Sequence, residues 1–302
     1  MISICIPVYN YDVRKLVFHL HRQATTEGIA FEILLYDDAS VDSYKILNRE
    51  CTTLPHLHLT ELTRNAGRSA IRNLLAKKAK YPWLIFMDCD SECPDDAYIK
   101  KYISNNGKEG VVCGGRIYHS TPPNDDTYLH WLFGTRREVK PCLERAKKPN
   151  HSFMTNNFMI SASIMKKIRF NESLLGYGHE DTLFGLELLK NNIHIRHIDN
   201  PLIHVGLQNS REFLCKTREG TRNLLKVYAI VKRDKDLPEM VKLLKMWSLL
   251  RRLGLCYPTG SILKRMESTL ERNLTGKRPR MLYLDLYKLG LICRQTIRFR
   301  RS

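Results

Sequence analysis

Apolar strands alternate with an amphipathic helix along the first ninety residues of the chain. Continuous apolar runs over residues 2–8, 31–36 and 83–87 have the length of buried strands. Between the first two runs, Val13 to Leu20 carry apolar side chains at helical spacing. Strands that alternate with helices form a parallel sheet with helices on its faces. The sequence therefore predicts an α/β fold built on an open, mostly parallel sheet.

Acidic residues follow two of these predicted strands. Asp37 and Asp38 come after the second run, and the Asp88-Cys89-Asp90 tripeptide comes after the run that ends at residue 87. Parallel sheets bind ligands at the carboxyl ends of their strands. Two carboxylates there offer hard oxygen ligands to Mg²⁺ or Mn²⁺. The alternative is structural: an Asx turn or helix cap for the first pair and a solvated turn for the second.

Composition limits the class of protein and its compartment. A chain of 302 residues that is 43% hydrophobic can bury a sizeable core, which excludes general disorder. Nine cysteines without repeated Cys-x-x-Cys spacing, and a first segment that is not a signal peptide, predict the reducing cytoplasm. No apolar run approaches the roughly 20 residues of a membrane-spanning helix, so membrane contact is expected to be peripheral.

Positive charge is concentrated at the C-terminus. The net charge is +18, and residues 241–302 hold 15 Lys or Arg against three acidic residues. Leu243, Leu244 and Trp247 recur there at helical spacing among basic residues, which predicts basic amphipathic helices. Two interpretations remain open: the apolar stripes pack on the protein itself, or they rest on an anionic membrane surface.

Five motifs occur in an order that resembles family 2 of the glycosyltransferases. They are Ile4–Asn10, Tyr36–Asp42, Asn65–Asn73, Asp88–Asp90 and Gly176–Asp181. The resemblance covers residues 2 to 230. It implies the GT-A fold, with a Rossmann-like central sheet and flanking helices, and an inverting transfer of sugar from a nucleotide diphosphate with Mn²⁺ or Mg²⁺.

The resemblance also implies a set of donor-binding residues. Tyr9 would stack on the base and Asp38 would accept a base N–H, which together would read uracil. Arg72 would lie near the donor phosphates, although an exposed helical arginine would look the same in sequence. The full donor set is Pro7, Tyr9, Asp38, Arg72, Asp88 and Asn157, with Asp88 at the ribose or a metal-bound water. Asn157, which precedes a predicted strand, could hydrogen-bond the donor sugar, although a turn explains it equally well.

Metal ligands and a catalytic base are implied in the same way. Asp90 would bind the metal, and the imidazole of His204, which suits Mn²⁺ better than Mg²⁺, would complete its shell. Asp181 would take the proton of the acceptor hydroxyl, with Glu180 as the reserve base and a contact to a sugar. The alternatives are an ordinary histidine beside an apolar strand and acidic residues that stabilise a helix N-terminus.

These implications combine into one hypothesis: a metal-dependent transferase that uses a UDP-sugar and a glycan or lipid-linked saccharide acceptor in capsule or lipopolysaccharide synthesis. The catalytic domain would span residues 1–235, with a donor half to about residue 115 and an acceptor half from 116. A basic helical extension would span 236–302, and it would either pack on the catalytic domain or rest on the inner face of the plasma membrane.

Two other functions are compatible with parts of the sequence. A sugar-phosphate nucleotidyltransferase would favour a glycine-rich phosphate loop after the first strand, and Pro7–Asn10 is not such a loop. A non-enzymatic basic protein that binds membrane or nucleic acid is permitted by the tail, but it does not require the ordered carboxylates. Nucleic acid is therefore not expected as a partner.

Overall fold

The computed structural model describes residues 1–105, 110–232 and 234–299. The strands are β1 (Ile2–Val8), β2 (Phe31–Asp37), β3 (Leu57–Glu61), β4 (Trp83–Met87), β5 (Ser91–Glu92), β6 (Val111–Cys113), β7 (Arg116–Ile117), β8 (Asn157–Ser161), β9 (Ile195–His197) and β10 (Leu202–His204). The helices are α1 (Arg14–Thr26), α2 (Asp42–Arg49), α3 (Arg68–Lys78), α4 (Tyr98–Ile103), α5 (Tyr128–Phe133), α6 (Cys142–Lys147), α7 (Ala162–Lys167), α8 (Glu180–Lys190), α9 (Ser210–Ile230), α10 (Asp236–Met240), α11 (Lys242–Arg252), α12 (Cys256–Arg265), α13 (Glu267–Leu274) and α14 (Met281–Phe299).

A seven-stranded sheet forms the centre of the fold, in the order β3-β2-β1-β4-β8-β6-β9. Strands β1 to β4 pair in parallel, and β8 runs antiparallel to both β4 and β6. The sheet is thus mostly parallel, and the predicted α/β fold class is confirmed.

Strand β1 is an apolar run because helices cover both faces of the sheet. Its residues Ile2, Ile4 and Ile6 belong to one hydrophobic core, together with side chains of α1. Cys5 points to the other face, into a second core that includes side chains of α3 and α8. The alternation follows from the two-residue period of a strand.

A second, three-stranded sheet has the order β5-β10-β7. Strand β10 runs antiparallel to β5, which places His204 opposite Ser91, and parallel to β7, which places Leu202 opposite Arg116. These pairings bring together three segments that lie far apart in the sequence. They decide which side chains meet beyond the end of β4.

The chain divides into two compact units. Unit 1 comprises Met1–His119, Glu138–Leu175 and Glu180–Gly206, and it contains both sheets. Unit 2 comprises Ser120–Arg137, Gly176–His179 and the chain from Leu207 onward. Its helices enclose a core of Leu129, Phe213, Leu214, Leu270, Leu274, Leu284, Tyr287 and Leu291.

The C-terminal part of the chain is helical, as predicted. Residues 300–302 of the predicted extension lie outside the described residues, and the predicted boundaries at 115 and 235 stay predictions. None of the helices within the described residues combines the length and the apolar character that crossing a membrane requires.

Candidate active site

All the predicted donor-binding, metal-binding and catalytic residues lie in unit 1, at or near the ends of strands and the starts of helices. The structure brings Arg72, Asp88 and Glu180 together in one group of charges. It brings Asp90 and His204 together in another.

The predicted base-binding edge combines an exposed ring with a buried carboxylate. Tyr9 is 54% exposed just beyond β1, so one face of its ring is accessible, and Pro7 lies inside β1 opposite Tyr36 of β2. The Asp38 carboxylate is buried and accepts hydrogen bonds from the backbone N–H groups of Ala66 (2.6 Å) and Gly67 (3.0 Å). Asp38 therefore fixes the loop that precedes α3, and its contact with a base stays a prediction.

Arg72 lies inside a group of charges and is not an exposed helical arginine. Its side chain is 2% exposed, and its Nη2 donates to Asp88 Oδ1 over 2.8 Å. Its Nη1 lies 3.5 Å from Glu180 Oε1, and Nη1 of Arg68 lies 3.6 Å from the same oxygen. Removing one member of a buried ion pair strands the other charge, which is strongly destabilising. Arg72 thus holds two carboxylates that come from different elements.

Three residues that the sequence analysis missed extend this group of charges. Arg116 of β7 is 11% exposed, with Nη1 2.9 Å from Glu138 Oε2 and Nη2 3.5 Å from Asp88 Oδ2. The Tyr118 hydroxyl donates a short hydrogen bond to the same Glu138 oxygen. Burial alone would raise the pKa of Glu138, but the charge of Arg116 and the hydrogen bond from Tyr118 outweigh it, so the pKa falls to about 2.

One sequence signal points to Arg116. It follows the apolar run of β6 across two glycines, which is the same strand-end placement that singled out Asp88. Glu138 has no such signal, because it comes from an irregular helical turn, Gly134–Glu138, that the sequence does not predict.

Asp90 and His204 form a pair of metal-ligand types. Asp90 Oδ1 lies 3.4 Å from His204 Nδ1 because β10 places His204 opposite the residue that follows Asp90. A side chain at Gly206 would overlap the Asp90 carboxylate, so only glycine leaves room for it there. Burial would raise the pKa of Asp90, but the hydrogen bond and charge of His204 lower it to about 2.

The ligand atoms of Asp90 and His204 fit a divalent metal such as Mn²⁺, which accepts both a carboxylate and an imidazole. No cluster of three His, Cys, Asp or Glu side chains with metal-binding geometry occurs among residues 1–105, 110–232 and 234–299. Two protein ligands with the remaining positions left to water and substrate phosphates are typical of metals that act on nucleotides.

Glu180 and Asp181 open α8 in contrasting environments. Glu180 faces the guanidinium groups of Arg68 and Arg72. Asp181 accepts a hydrogen bond from the backbone N–H of Thr182 (2.7 Å), while burial and the charge of Glu180 raise its pKa to about 6. A carboxylate with a pKa near neutrality suits a proton acceptor, so Asp181 has the property that the predicted base requires.

The predicted contact of Asn157 with a donor sugar is corrected by the structure. Its Oδ1 accepts hydrogen bonds from the hydroxyls of Tyr98 (2.9 Å) and Tyr102 (2.6 Å). Its Nδ2 donates to the carbonyls of Gly115 (2.9 Å) and Asn200 (2.8 Å). An amide side chain makes four such bonds, so the 1% exposed Asn157 has no capacity left for a ligand.

We therefore expect Asn157→Ala to lower the free energy of unfolding by about 2–4 kcal/mol, because two hydroxyls and two carbonyls would lose buried partners. Denaturant unfolding measures this change, and Asn191→Ala, at an exposed position, serves as the control. Donor affinity of the folded variant should match that of the wild type. If Asn157→Ala left the stability unchanged but reduced donor affinity, the predicted contact of Asn157 with the donor sugar would be supported.

Comparison with known proteins gives a curated relative of limited extent. The chain is 24% identical over 202 residues to the teichoic acid poly(glycerol phosphate) polymerase of Staphylococcus epidermidis. This match covers 63% of the chain and 26% of the relative, so the chain spans about a quarter of that protein's length.

Solved structures with a similar fold come from several organisms. A mannosyltransferase of Pyrobaculum calidifontis, in complex with GDP-Man and Mn²⁺, has a TM-score of 0.55 at 11% identity, over 96% of this chain and 86% of that one. Residues 1–349 of S. aureus TarS give a TM-score of 0.51 at 18% identity, over 98% and 91%. Glucosyl-3-phosphoglycerate synthase of Mycobacterium tuberculosis gives 0.52 at 13%, over 75% and 79%. At these identities the likeness shows the fold.

The family follows from the sequence match. Residues 3–169, more than half of the chain, match the sequence model of glycosyl transferase family 2. The predicted enzyme class is confirmed, and the nucleotidyltransferase and non-enzymatic alternatives are not. The protein belongs to glycosyltransferase family 2 and is a glycosyltransferase with the GT-A fold.

Proposed function

We propose that the protein transfers a sugar from a UDP-sugar to a glycan or lipid-linked saccharide acceptor, with inversion at the anomeric carbon. The observation that carries the proposal is the contrast between the surroundings of Glu180 and Asp181 at the start of α8. Glu180 is held by two arginines, whereas Asp181 has a pKa of about 6. A site that needs one base for a hydroxyl and one fixed carboxylate has this arrangement.

In the proposed reaction, Asp181 accepts the proton of the acceptor hydroxyl as the oxygen attacks the anomeric carbon. The new bond joins that carbon to the acceptor oxygen, and the bond to the diphosphate oxygen breaks, so UDP leaves with its electron pair. Glu180, fixed by Arg68 and Arg72, is assigned to hold a sugar hydroxyl.

Asp90 and His204 are the residues that would hold Mn²⁺, and Mg²⁺ is the second choice because imidazole suits it less. When bound, the metal would neutralise charge on the departing diphosphate. The solved structures of the mannosyltransferase and of glucosyl-3-phosphoglycerate synthase contain Mn²⁺, which supports this assignment.

A uridine donor is the part of the proposal that rests on Tyr9 and Asp38. Similar folds bind more than one nucleotide, since the synthase structure contains UDP-glucose and the mannosyltransferase structure contains GDP-Man. The exposed Tyr9 ring is available to stack on a base, and Asp38 retains lone pairs for a base N–H beside its two backbone bonds. Asp88, fixed by Arg72 and Arg116, is assigned to the ribose or a metal-bound water.

The acceptor is proposed to belong to a cell-envelope polysaccharide, with capsule and lipopolysaccharide as the first classes to examine. The similarity to a teichoic acid polymerase supports an envelope polymer. We assign residues 1–115 to the donor, residues 116–235 to the acceptor, and the reaction to the cytoplasmic face of the plasma membrane.

Donor use is tested by measuring UDP release from a panel of UDP-sugars with Mn²⁺, with Mg²⁺ and with EDTA. We expect one UDP-sugar to be hydrolysed in the presence of Mn²⁺. UDP release should disappear with EDTA and in the Asp90→Asn variant. Asp181→Asn should bind the donor like the wild type in calorimetry but transfer no sugar, and Asp125→Asn, at an exposed position, is the matched control. Equal loss of donor affinity in the Asp90 and Asp181 variants would refute their separate roles.

Metal binding is tested at Gly206, because a methyl group there would displace the Asp90 carboxylate. We expect Gly206→Ala to lower Mn²⁺ affinity in the presence of UDP by about ten- to hundredfold, as measured by calorimetry. Gly220→Ala is the control, since its added carbon would meet only ordinary contacts. If Gly206→Ala bound Mn²⁺ as tightly as the wild type does, Asp90 would not be a metal ligand.

Because of the raised pKa of Asp181, we expect activity to rise and stability to fall as the pH increases. Because the base must be ionised, kcat/KM should rise tenfold per pH unit below about 6 and level off above it. A folded-state pKa above the unfolded value of 3.8 means that stability falls as the pH rises from about 4 to 6 and stays lower above that window.

Asp181→Asn removes this cost, so we expect its Tm to exceed that of the wild type by about 2–4 °C at pH 8 and by less at pH 4. Thermal unfolding at the two pH values measures the difference. A Tm gain that does not depend on pH would show that Asp181 has an ordinary pKa.

A further inference from the structure

Exposed apolar side chains are concentrated on α11, α12 and the turn between them. This stretch exposes more large apolar side chains than any other of its length among the described residues. They are Met246 (48%), Leu249 (49%), Leu253 (60%), Leu255 (44%), Tyr257 (68%), Ile262 (56%) and Met266 (40%). Exposed apolar side chains grouped in this way are typical of an interaction site.

Helix α11 has two apolar stripes, and only one of them packs on the protein. Leu244 and Trp247 are 0% and 2% exposed, and the Trp247 ring meets that of Tyr228 edge-on at 5.2 Å. Met246 and Leu249, three residues apart, lie on the exposed side, which continues to Leu253. Packing within unit 2 therefore explains the first stripe and leaves the second without a structural role.

The charged residues within the stretch 241–266 all have one sign. Residues 241–266 contain six Lys or Arg and no Asp or Glu. Lys245 pairs with Glu239, outside this stretch, at 2.8 Å. The exposed Lys242, Arg252 and Arg265 form no ion pair with any residue that the structure describes.

A groove of about 890 Å³ combines the same two chemistries. Its lining holds five Lys or Arg, including Lys242 and Arg252, against two acidic residues, Asp234 and Glu239, beside the side chains of Met246 and Leu249. Cationic groups beside an apolar floor fit a molecule with a phosphate head and an acyl chain. Phosphate-backbone recognition in nucleic acids uses basic and polar contacts, so it does not account for the apolar stripe.

We propose that the α11–α12 face, residues 242–266, docks on an anionic lipid bilayer. Met246, Leu249 and Leu253 enter the headgroup region, while Lys242 and Arg252 contact lipid phosphates. Each basic residue near such a surface strengthens binding, and apolar insertion adds to it. A second copy of the chain is a poorer partner, because it would bring an equal positive charge. This face deepens the peripheral-membrane part of the proposed function.

The test is co-sedimentation of the full chain with vesicles of phosphatidylcholine alone and of phosphatidylcholine mixed with phosphatidylglycerol, without donor or acceptor. We expect binding to the anionic vesicles only, and weaker binding in high salt. Lys242→Gln combined with Arg252→Gln should lower the affinity by about thirtyfold. Leu249→Ser combined with Leu253→Ser should lower it by about tenfold or more.

Matched controls change exposed residues on other helices. Leu282→Ser and Lys77→Gln, on α14 and α3, should bind vesicles like the wild type. Equal binding to both kinds of vesicle, or binding that survives both double variants, would overturn the proposal. So would a dimer in solution that Leu249→Ser with Leu253→Ser dissociates while no vesicles are bound.

Metal-dependent UDP release in solution by the same variants separates this proposal from the catalytic one. Retained release together with lost vesicle binding is the expected pair of results. Vesicle binding without release in any variant, including the wild type, would leave the docking face intact and refute the proposed UDP-sugar donor.

Discussion

The buried guanidinium of Arg72 is the contact on which the rest of the site depends. It joins α3 to the end of β4 through Asp88 and to the start of α8 through Glu180. A buried charge is stable only when it is paired with an opposite charge, because burying it alone costs much free energy. The pairing fixes Glu180 and leaves its neighbour Asp181 as the carboxylate that burial keeps hard to ionise. One arginine therefore fixes Glu180, and the neighbouring Asp181 is the carboxylate proposed as the base.

Local patterns were enough to predict the parallel strands, the strand-end carboxylates and the helical C-terminus. Each of these depends on a few neighbouring residues: the apolar run of β1, for example, needs only two covered faces. The closeness of Asp90 and His204 was expected from the family resemblance, and no local pattern in the sequence indicates it.

Long-range pairing explains what the sequence did not predict. The partners of Asn157 lie more than 40 residues away, so its amide looked free for a ligand when it was already saturated. Arg116 and Glu138 were missed because their meeting depends on β7 and on an irregular turn. The second stripe of α11 was hidden for another reason: sequence spacing shows that a face is apolar but not whether it packs.

The small sheet of β5, β10 and β7 has a consequence for how this enzyme can diversify. Its register decides that His204 stands beside Asp90, and a slip of one residue would turn the imidazole to the opposite face. The segments that join these strands carry no such restriction, since loops tolerate changes in length. Insertions and deletions there can reshape the surroundings of an acceptor while the two metal-ligand types keep their separation. The range of substrates can therefore evolve by changes in these loops while the three-stranded sheet stays constant.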